Sequence, residues 1–297
     1  MKMMLLTGLV LSFAGCLTVT AQGKPAYPPE IEGATAHVYK EVDGTELKLW
    51  AFRPEGWKAS DARPGIVFFF GGGWRSGSPM QFVPQCERLA KRGMVAMVAD
   101  YRVASRHGVK AKDCVADARD AMRFVRKNAA TMGIDPKRLA AGGGSAGGHI
   151  AACLGVIGDD AESRPDAMAL FNPACVLAPL DGKNFFGRNR GAGMAERMGV
   201  APEALSPAHH VSAKAPPCVI FHGKADTTVP YVTAEAFAEK MKAAGVTCVL
   251  HGYEGEGHGF FNAGRHSKAG KASACSQTME QLDAFLVNLG WLKNQGP

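Results

Sequence analysis

The chain has 297 residues, of which 46% are hydrophobic and 21% charged, and its formal net charge is +7. This length and apolar content suit one large α/β domain or two small ones and exclude an intrinsically disordered chain. Because the lysines and arginines are spread along the whole chain, the charge indicates general solubility and argues against a nucleic-acid-binding segment.

The first residues, "MKMMLLTGLVLSFAGCLTVTAQ", combine an early lysine, an apolar stretch and small residues. This pattern predicts a signal peptide over residues 1–21, cleaved after Ala21, and hence a secreted or periplasmic protein. "FAGC", ending at Cys16, is an alternative lipoprotein box with a lipid anchor, although Phe13 replaces the usual leucine. The apolar run is too short and too interrupted for a membrane span.

The eight cysteines are scattered and contain no C-x-x-C pair. Cys153, Cys218 and Cys248 lie in apolar runs, so we expect small core residues there and not bridges or metal ligands. One disulfide remains an alternative, and the sequence does not assign it.

After a flexible lead-in, predicted over residues 22–36, a single domain is predicted over 37–297. Alternating residues around Asp43-Gly44 in "HVYKEVDGTELKLWAFRP" predict a β-hairpin. Fully apolar runs then alternate with helical patterns to the end of the chain, which predicts right-handed crossovers and a mostly parallel sheet. The predicted strands are "GIVFFF", "MVAMVADYR", "RLAAGG", "DAMALFNPA", "CVIFHGKAD" and "TCVLHGYE", and the predicted helices "PQCERLAKRG", "DCVADARDAMRFVRKNAATMG", "GGHIAACLGVIG", "TAEAFAEKMKAAG" and "SQTMEQLDAFLVNLGW".

The interval from 180 to 214 interrupts this alternation. It is rich in glycine and cations, so a small lid over the carboxyl edge of the sheet is one interpretation, and an ordinary surface loop is the other. Arg188 and Arg190 in this interval are either contacts for an acidic sugar or solvated loop residues, and the second interpretation is favoured.

Ser145 lies in "LAAGGGSAGGHIAA", between a predicted strand and a predicted helix. Gly143-Gly144-Ser145-Ala146-Gly147 satisfies G-x-S-x-G, a weak pattern alone, but the strand–turn–helix context is that of a nucleophile elbow. Glycines at 143 and 147 would remove side chains that collide with neighbouring backbone. A nucleotide-binding interpretation is disfavoured, because no lysine follows the turn and no early βαβ unit contains it.

A serine nucleophile needs a base and an orienting acid, and in an elbow architecture they follow in the order serine, acid, histidine. Asp226 in "HGKADTTVP" and His258 in "GEGHGFF" follow successive strands and match that order. Asp181 is the alternative acid and His266 the alternative base. His149 and His222 are expected to be structural, and a substrate role for His209 and His210 stays open.

The glycines of "FFFGGGW" directly follow a buried strand. A tetrahedral intermediate needs fixed N–H donors, and glycine lets the backbone approach a ligand closely. The N–H groups of Gly72, Gly73 and Ala146 are therefore the predicted oxyanion hole. No metal or cofactor is predicted.

These motifs, with "ADYR", "DARDAMRFVRKNA" and "IDPKRLAAGGGSAGGHIA", resemble the α/β-hydrolase superfamily from about Val38 to Trp291. The likeness is greatest to the branch of hormone-sensitive-lipase-like and bacterial acetyl and feruloyl carbohydrate esterases. It implies Ser145 as nucleophile, Asp226 as acid, His258 as base and the same oxyanion donors. Two positions depart from the branch: Phe70 stands where a histidine usually braces the oxyanion loop, and Gly144 stands where an acidic residue often precedes the serine.

The sequence thus predicts a secreted serine esterase for short acyl groups, with acetyl or feruloyl esters on carbohydrate as the narrower hypothesis. The substrate would be a small-molecule or polysaccharide-borne ester, and the sequence does not predict the oligomeric state. A prolyl-oligopeptidase-like peptidase is the rival enzyme, disfavoured by Ala146 and the short N-terminal part. A non-catalytic binding protein on the same fold is the rival from another class.

Overall fold

A computed structural model describes residues 27–185, 193–263 and 273–294. The strands are β1 (Thr35–Val42), β2 (Thr45–Phe52), β3 (Arg63–Phe69), β4 (Val95–Ala99), β5 (Ile134–Gly144), β6 (Ala167–Phe171), β7 (Cys218–Gly223) and β8 (Cys248–Tyr253). The helices are α1 (Val83–Lys91), α2 (Ala104–His107), α3 (Ala111–Lys127), α4 (Ala129–Met132), α5 (Ala146–Val156), α6 (Met194–Met198), α7 (Tyr231–Ala243) and α8 (Ala274–Asn288).

All eight strands form one sheet in the order β1-β2-β4-β3-β5-β6-β7-β8. β1 pairs antiparallel with β2, β2 pairs antiparallel with β4, and every other pair is parallel. Asp43 and Gly44 join the first two strands with positive φ values of 51° and 71°, the conformation that a type I′ turn requires. The predicted fold class, a mostly parallel α/β sheet after an N-terminal hairpin, is confirmed.

Two apolar clusters cover the two faces of the sheet. One packs α3, α5 and α7 through residues such as Val115, Ile150 and Phe237, and the other packs α1 and α8 through Leu89 and Leu282. Burial on both faces explains why the parallel strands are apolar at almost every position. Six of the seven cysteines among the described residues are buried thiols, and Cys153, Cys218 and Cys248 are core residues as predicted.

Residues 27–36, the described part of the lead-in predicted as flexible over 22–36, contact the domain. β1 already begins at Thr35, and Ile31 is buried in the cluster of α1 and α8. The Tyr27 hydroxyl donates a hydrogen bond to the Asp100 carboxylate, and the Arg106 guanidinium lies 3.7 Å from the centre of the Tyr27 ring. Isolated apolar residues in a Pro-rich segment give no periodic signal, which is why the sequence did not predict these contacts.

The described part of the interval 180–214 packs against the domain. Met198, Leu205 and Ala208 are buried in the cluster of α3, α5 and α7, and the Ser206 hydroxyl accepts a hydrogen bond from the Leu177 N–H. Residues 198–208 are thus packed into the domain. Arg188 and Arg190 lie outside the described residues.

A buried ion-pair network fastens the hairpin to the rest of the domain. Asp117 on α3 is fully buried and accepts hydrogen bonds from Lys40 Nζ on β1 at 2.7 Å and from Arg102 Nε at 2.9 Å. Lys40 also pairs with Asp120 at 2.7 Å, but that carboxylate side chain is 35% exposed.

Removing the buried charge is expected to be far more costly than removing the exposed one. Asp117→Asn leaves Lys40 and Arg102 without their buried counter-ion and should lower the free energy of unfolding by about 3 kcal/mol. The matched variant Asp120→Asn should lose at most about 1 kcal/mol. Urea unfolding measures both, and equal losses would contradict this account of the network.

Candidate active site

Ser145 occupies a strained turn between β5 and α5. Its φ and ψ are 55° and −116°, a conformation that non-glycine residues rarely adopt, and its N–H donates to the Phe171 carbonyl at 2.8 Å. This is the sharp strand-to-helix geometry that the elbow prediction requires.

The glycines around Ser145 are required by the close approach of α5 to β3. A Cβ at Gly143 would lie 2.5 Å from the Phe69 carbonyl oxygen and 2.6 Å from the Gly147 carbonyl carbon. A Cβ at Gly147 would overlap the same Phe69 carbonyl group. These contacts are with backbone, which cannot move aside, so only glycine fits at the two predicted positions.

The space beside Gly144 is filled by an aromatic ring. A Cβ there would overlap the ring of Phe261, which stacks on Phe82 with ring centres 5.7 Å apart. The related branch often carries an acidic residue at this position, and here the side chain of Phe261, three residues after His258, takes up the room. The loop of His258 is thereby packed against the elbow.

Asp226 and His258 form a direct pair at the carboxyl edge of the sheet. The distance between His258 Nδ1 and Asp226 Oδ2 is 2.7 Å, and the Asp226 side chain is fully buried. Because an ionised carboxylate only accepts hydrogen bonds, Nδ1 carries the proton and the Nε2 lone pair remains available as a base.

Asn172 is a site residue that the sequence reasoning missed. It follows β6, is fully buried and has a φ of 42°, and its Nδ2 donates to Asp226 Oδ2 at 2.7 Å. Because Ser145 bonds to the preceding residue, Phe171, Asn172 connects the elbow to the Asp226–His258 pair. A polar residue directly after a buried strand was the available signal.

Asp226 is surrounded by donors. Burial alone would raise the pKa of its carboxyl, but hydrogen bonds from His222, His258 and the Val229 N–H outweigh that and hold the pKa well below its ordinary value. The N–H groups of Thr228 and Val229 donate to its Oδ1 at 2.8 and 2.9 Å. His222 Nε2 lies 2.9 Å from the Val229 carbonyl oxygen and 3.4 Å from Asp226 Oδ2, so His222 has the structural role expected of it and also contacts this carboxylate.

The loop from Gly71 to Trp74, here called the glycine loop, faces the elbow as predicted. A Cβ at Gly71 would lie 3.3 Å from the Ser145 Cβ. The Gly71 N–H is engaged by the Gln81 side chain, whereas no hydrogen bond among the described residues uses the N–H of Gly72 or Gly73. The N–H of Ala146, at the first position of α5, has no intrahelical partner.

Phe70, in place of the usual histidine, is held by Tyr101. Their rings stack with centres 4.1 Å apart, and the Tyr101 hydroxyl donates to the Phe70 carbonyl at 2.6 Å.

A second brace runs from the glycine loop to the loop of His258. Gln81 Oε1 accepts from the Gly71 N–H at 2.6 Å, and Gln81 Nε2 donates to Asn262 Oδ1 at 2.9 Å. Asn262 Nδ2 in turn donates to the Gly259 carbonyl at 2.8 Å. Sequence reasoning missed Gln81 and Asn262, which carry no motif.

His149 is structural, as expected, and ties Trp74 of the glycine loop to α5. Trp74 Nε1 donates to His149 Nδ1 at 3.1 Å, and His149 Nε2 donates to the Leu205 carbonyl at 2.7 Å. Complete burial lowers the pKa of His149 to about 4, although its bond to Leu205 opposes the shift. Both ring nitrogens are therefore satisfied only in the neutral form.

The alternative site residues lie elsewhere in the structure. Asp181 is exposed and pairs with Lys240 at 2.8 Å, so it is not the acid of this site. His209 bonds to Ser206 and Pro179, and His210 to the Glu203 carbonyl, all within the packed interval. His266 lies outside the described residues.

Among the described residues, no group of three or more His, Cys, Asp and Glu side chains is arranged to hold a metal ion. Over the same residues, no helix has the length and apolarity needed to cross a membrane.

Comparison with known proteins gives a consistent set of neighbours. A family model described as the alpha/beta hydrolase fold matches residues 66–262. Esterase LipC of Mycobacterium tuberculosis is 29% identical over 265 residues, which are 80% of this chain and 64% of that protein. Carboxylesterase NlhH of the same organism is 28% identical over 221 residues, 68% of each chain. The chain spans about half to two thirds of the length of the first curated relatives it matches.

Solved structures extend the likeness over almost the whole chain. The native thermophilic esterase Est2 of Thermogutta terrifontis is 50% identical, with a TM-score of 0.85 over 92% of this chain and 99% of that one. The same esterase with bound butyrate has a TM-score of 0.84, covering 92% and 100% of the two chains.

The neutral state of His149 predicts a loss of stability in acid. The pKa of His149 is lower in the folded chain than the ordinary 6.5. Its contribution to the free energy of unfolding is therefore complete above about pH 6.5 and is lost as the pH falls towards 4. The loss should amount to about 3 kcal/mol. Urea unfolding between pH 4 and 8 should show this component in the wild type and not in His149→Gln.

The difference between the two curves isolates His149. Burial raises the pKa of Asp100 to about 6, so the free energy that Asp100 contributes changes with pH in the opposite direction. Wild type and variant share this contribution, and it cancels in the difference. Parallel curves for wild type and variant would contradict the prediction.

Proposed function

Since the chain belongs to the α/β-hydrolase family, we propose that it is a serine carboxylic ester hydrolase that acts through Ser145, His258 and Asp226. The observation that carries the proposal is that His258 and Asp226 lie 2.7 Å apart and are connected through Asn172 to a serine held at φ 55°. The esterase names of the relatives and of the 50%-identical structure support it.

In the proposed reaction, Ser145 Oγ attacks the ester carbonyl carbon while His258 Nε2 takes its proton. The imidazolium then gives that proton to the leaving alcohol, and an acyl-enzyme forms. Water, deprotonated by the same Nε2, attacks the acyl-enzyme and releases the acid. Asp226 stays ionised throughout, because its depressed pKa keeps it a carboxylate that stabilises the imidazolium.

The negative charge of the tetrahedral intermediate would be taken by the N–H groups of Gly72, Gly73 and Ala146. They have no partner within the described residues, whereas the neighbouring Gly71 N–H is already bonded to Gln81. Fixed backbone donors need no reorganisation during the reaction, and each such donor typically contributes about 3 kcal/mol.

We propose short acyl groups, with acetyl or feruloyl esters on carbohydrate as the narrower substrate class. The 50%-identical esterase has been captured with propionate and with butyrate, which supports short acyl groups. The carbohydrate hypothesis rests on the predicted signal peptide and on the resemblance of the motifs, and so does a secreted or periplasmic location, with lipidation at Cys16 as the alternative.

A panel of 4-nitrophenyl esters with acyl chains of two to ten carbons tests the activity. The wild type should have its highest kcat/KM for the shortest chains, and Ser145→Ala should lower kcat by about 10⁴-fold or more. Equal, slow hydrolysis by both proteins would favour a non-catalytic binding protein. Hydrolysis of a dipeptidyl amide in place of esters would favour a peptidase.

Acetate and ferulate released from acetylated and feruloylated xylan test the carbohydrate hypothesis separately. Release by the wild type and not by Ser145→Ala would support it. Cleavage of the nitrophenyl esters without release of acetate or ferulate from xylan would contradict the carbohydrate hypothesis but not the ester hydrolase proposal.

Asn172 is expected to position the acid of the triad. Asn172→Gly keeps the positive φ available but removes the donor to Asp226 Oδ2, so the pKa of Asp226 rises and the His258 ring is less well oriented. We expect kcat to fall about tenfold with KM little changed. A higher KM at unchanged kcat would show that Asn172 does not act through Asp226.

A further inference from the structure

A cavity of about 420 Å³ opens beside the glycine loop, and the proposed mechanism does not use it. Trp74 and Arg75, which directly follow the glycines, form one wall, and Lys110 precedes α3 on another. Gly193 and Arg197, the latter on α6, close the third side.

The charge of this cavity is strongly positive and only partly neutralised. Its walls carry the cations Arg75, Lys110 and Arg197 and the single anion Glu196, which pairs with Lys110 at 3.6 Å. Within the described residues, neither Arg75 nor Arg197 forms an ion pair, whereas most other arginines of the domain do. Two arginines without an ion-pair partner among the described residues therefore line the same cavity.

The walls are held by contacts that leave the two guanidinium groups available. The Arg75 backbone N–H donates to the Gly72 carbonyl at 3.1 Å, and the Arg75 carbonyl accepts from the Ser105 N–H at 2.9 Å. On the opposite side, Met198 anchors α6 in the core, and Gly199 packs so closely on Lys110 that an added Cβ would lie 2.8 Å from the Lys110 Cβ. The cavity is a fixed feature of the fold.

The wall of the cavity also continues the loop that carries the proposed oxyanion donors Gly72 and Gly73. Arg75 is two residues beyond Gly73, so their Cα atoms are at most about 7.6 Å apart. Trp74 lies between them, and its indole is fixed by the bond to His149. A substituent of a bound ester that extended past Gly73 would therefore approach Arg75 and the cavity it lines.

We propose that this cavity is a subsite for an anionic group of the substrate, so that the protein prefers esters that carry a carboxylate or a similar anion. Arg75 and Arg197 bind the anion, with fork-shaped donor sets that match a carboxylate, while Lys110 is partly neutralised by Glu196. The proposal deepens the ester hydrolase function and depends on it.

Two matched pairs of esters test the subsite and show which side of the ester carries the anion. In one pair, 4-acetoxybenzoate and 4-acetoxybenzamide, the alcohol part is anionic or neutral. In the other, monomethyl terephthalate and methyl 4-carbamoylbenzoate, the acyl part differs in the same way. The measured quantity is the ratio of kcat/KM for the anionic ester to that for its neutral partner.

In at least one pair the wild-type ratio should exceed one and fall as salt is added. Arg75→Gln and Arg197→Gln should each lower that ratio about fivefold, mainly through KM, and Arg197→Glu should lower it further. Lys242→Gln, which removes an exposed cation of α7, is the control and should leave the ratio unchanged.

Ratios that do not change in Arg75→Gln and Arg197→Gln for both pairs would overturn the subsite. In that case, hydrolysis of the neutral esters by the wild type but not by Ser145→Ala would still leave the ester hydrolase proposal standing. If the wild type hydrolysed none of these esters, the ester hydrolase proposal itself would be contradicted.

Discussion

The close approach of α5 to β3 is the constraint on which the site depends. Because Gly143 and Gly147 lack a Cβ, the strand and helix that flank Ser145 pack closely against the Phe69 carbonyl, and Ser145 between them holds its strained conformation. The strain is held by a large buried core: both faces of an eight-stranded sheet are covered, and α5 itself is buried along its whole length. The position of Ser145, the proposed nucleophile, is therefore a consequence of packing and not of flexible glycine backbone.

The other half of the site is held in place by polar side chains. Tyr101 and Gln81 fix the glycine loop from two directions, which compensates for the absence of a histidine at Phe70. Asn172 and Asn262 do the same for the loops of Asp226 and His258. The loops are thus held by side-chain amides and a phenol, groups that keep their charge state across the pH range in which a histidine titrates.

Much of the fold, and the residues of the proposed triad, could be predicted from the sequence because each prediction rested on a local pattern. Continuous apolar runs predict strands covered on both faces, Asp43-Gly44 predicts a type I′ turn, and Ser145, Asp226 and His258 each follow a predicted strand. The supporting residues could not be predicted in this way. Gln81, Asn262 and Tyr27 act through single contacts with distant residues, and no periodicity or spacing signals such contacts.

The bond between Gln81 and Asn262 joins residues 181 positions apart in the chain. Closing a loop of this length costs conformational entropy, and the contacts already formed elsewhere in the fold must offset that cost. Contacts of such sequence separation are therefore expected late in folding. The glycine loop and the histidine loop would therefore become fixed to each other only after β7 and β8 have been added to the sheet. Partly folded chains would carry Ser145 without the two loops fixed around it, so that any activity of this site would appear only when the fold is complete.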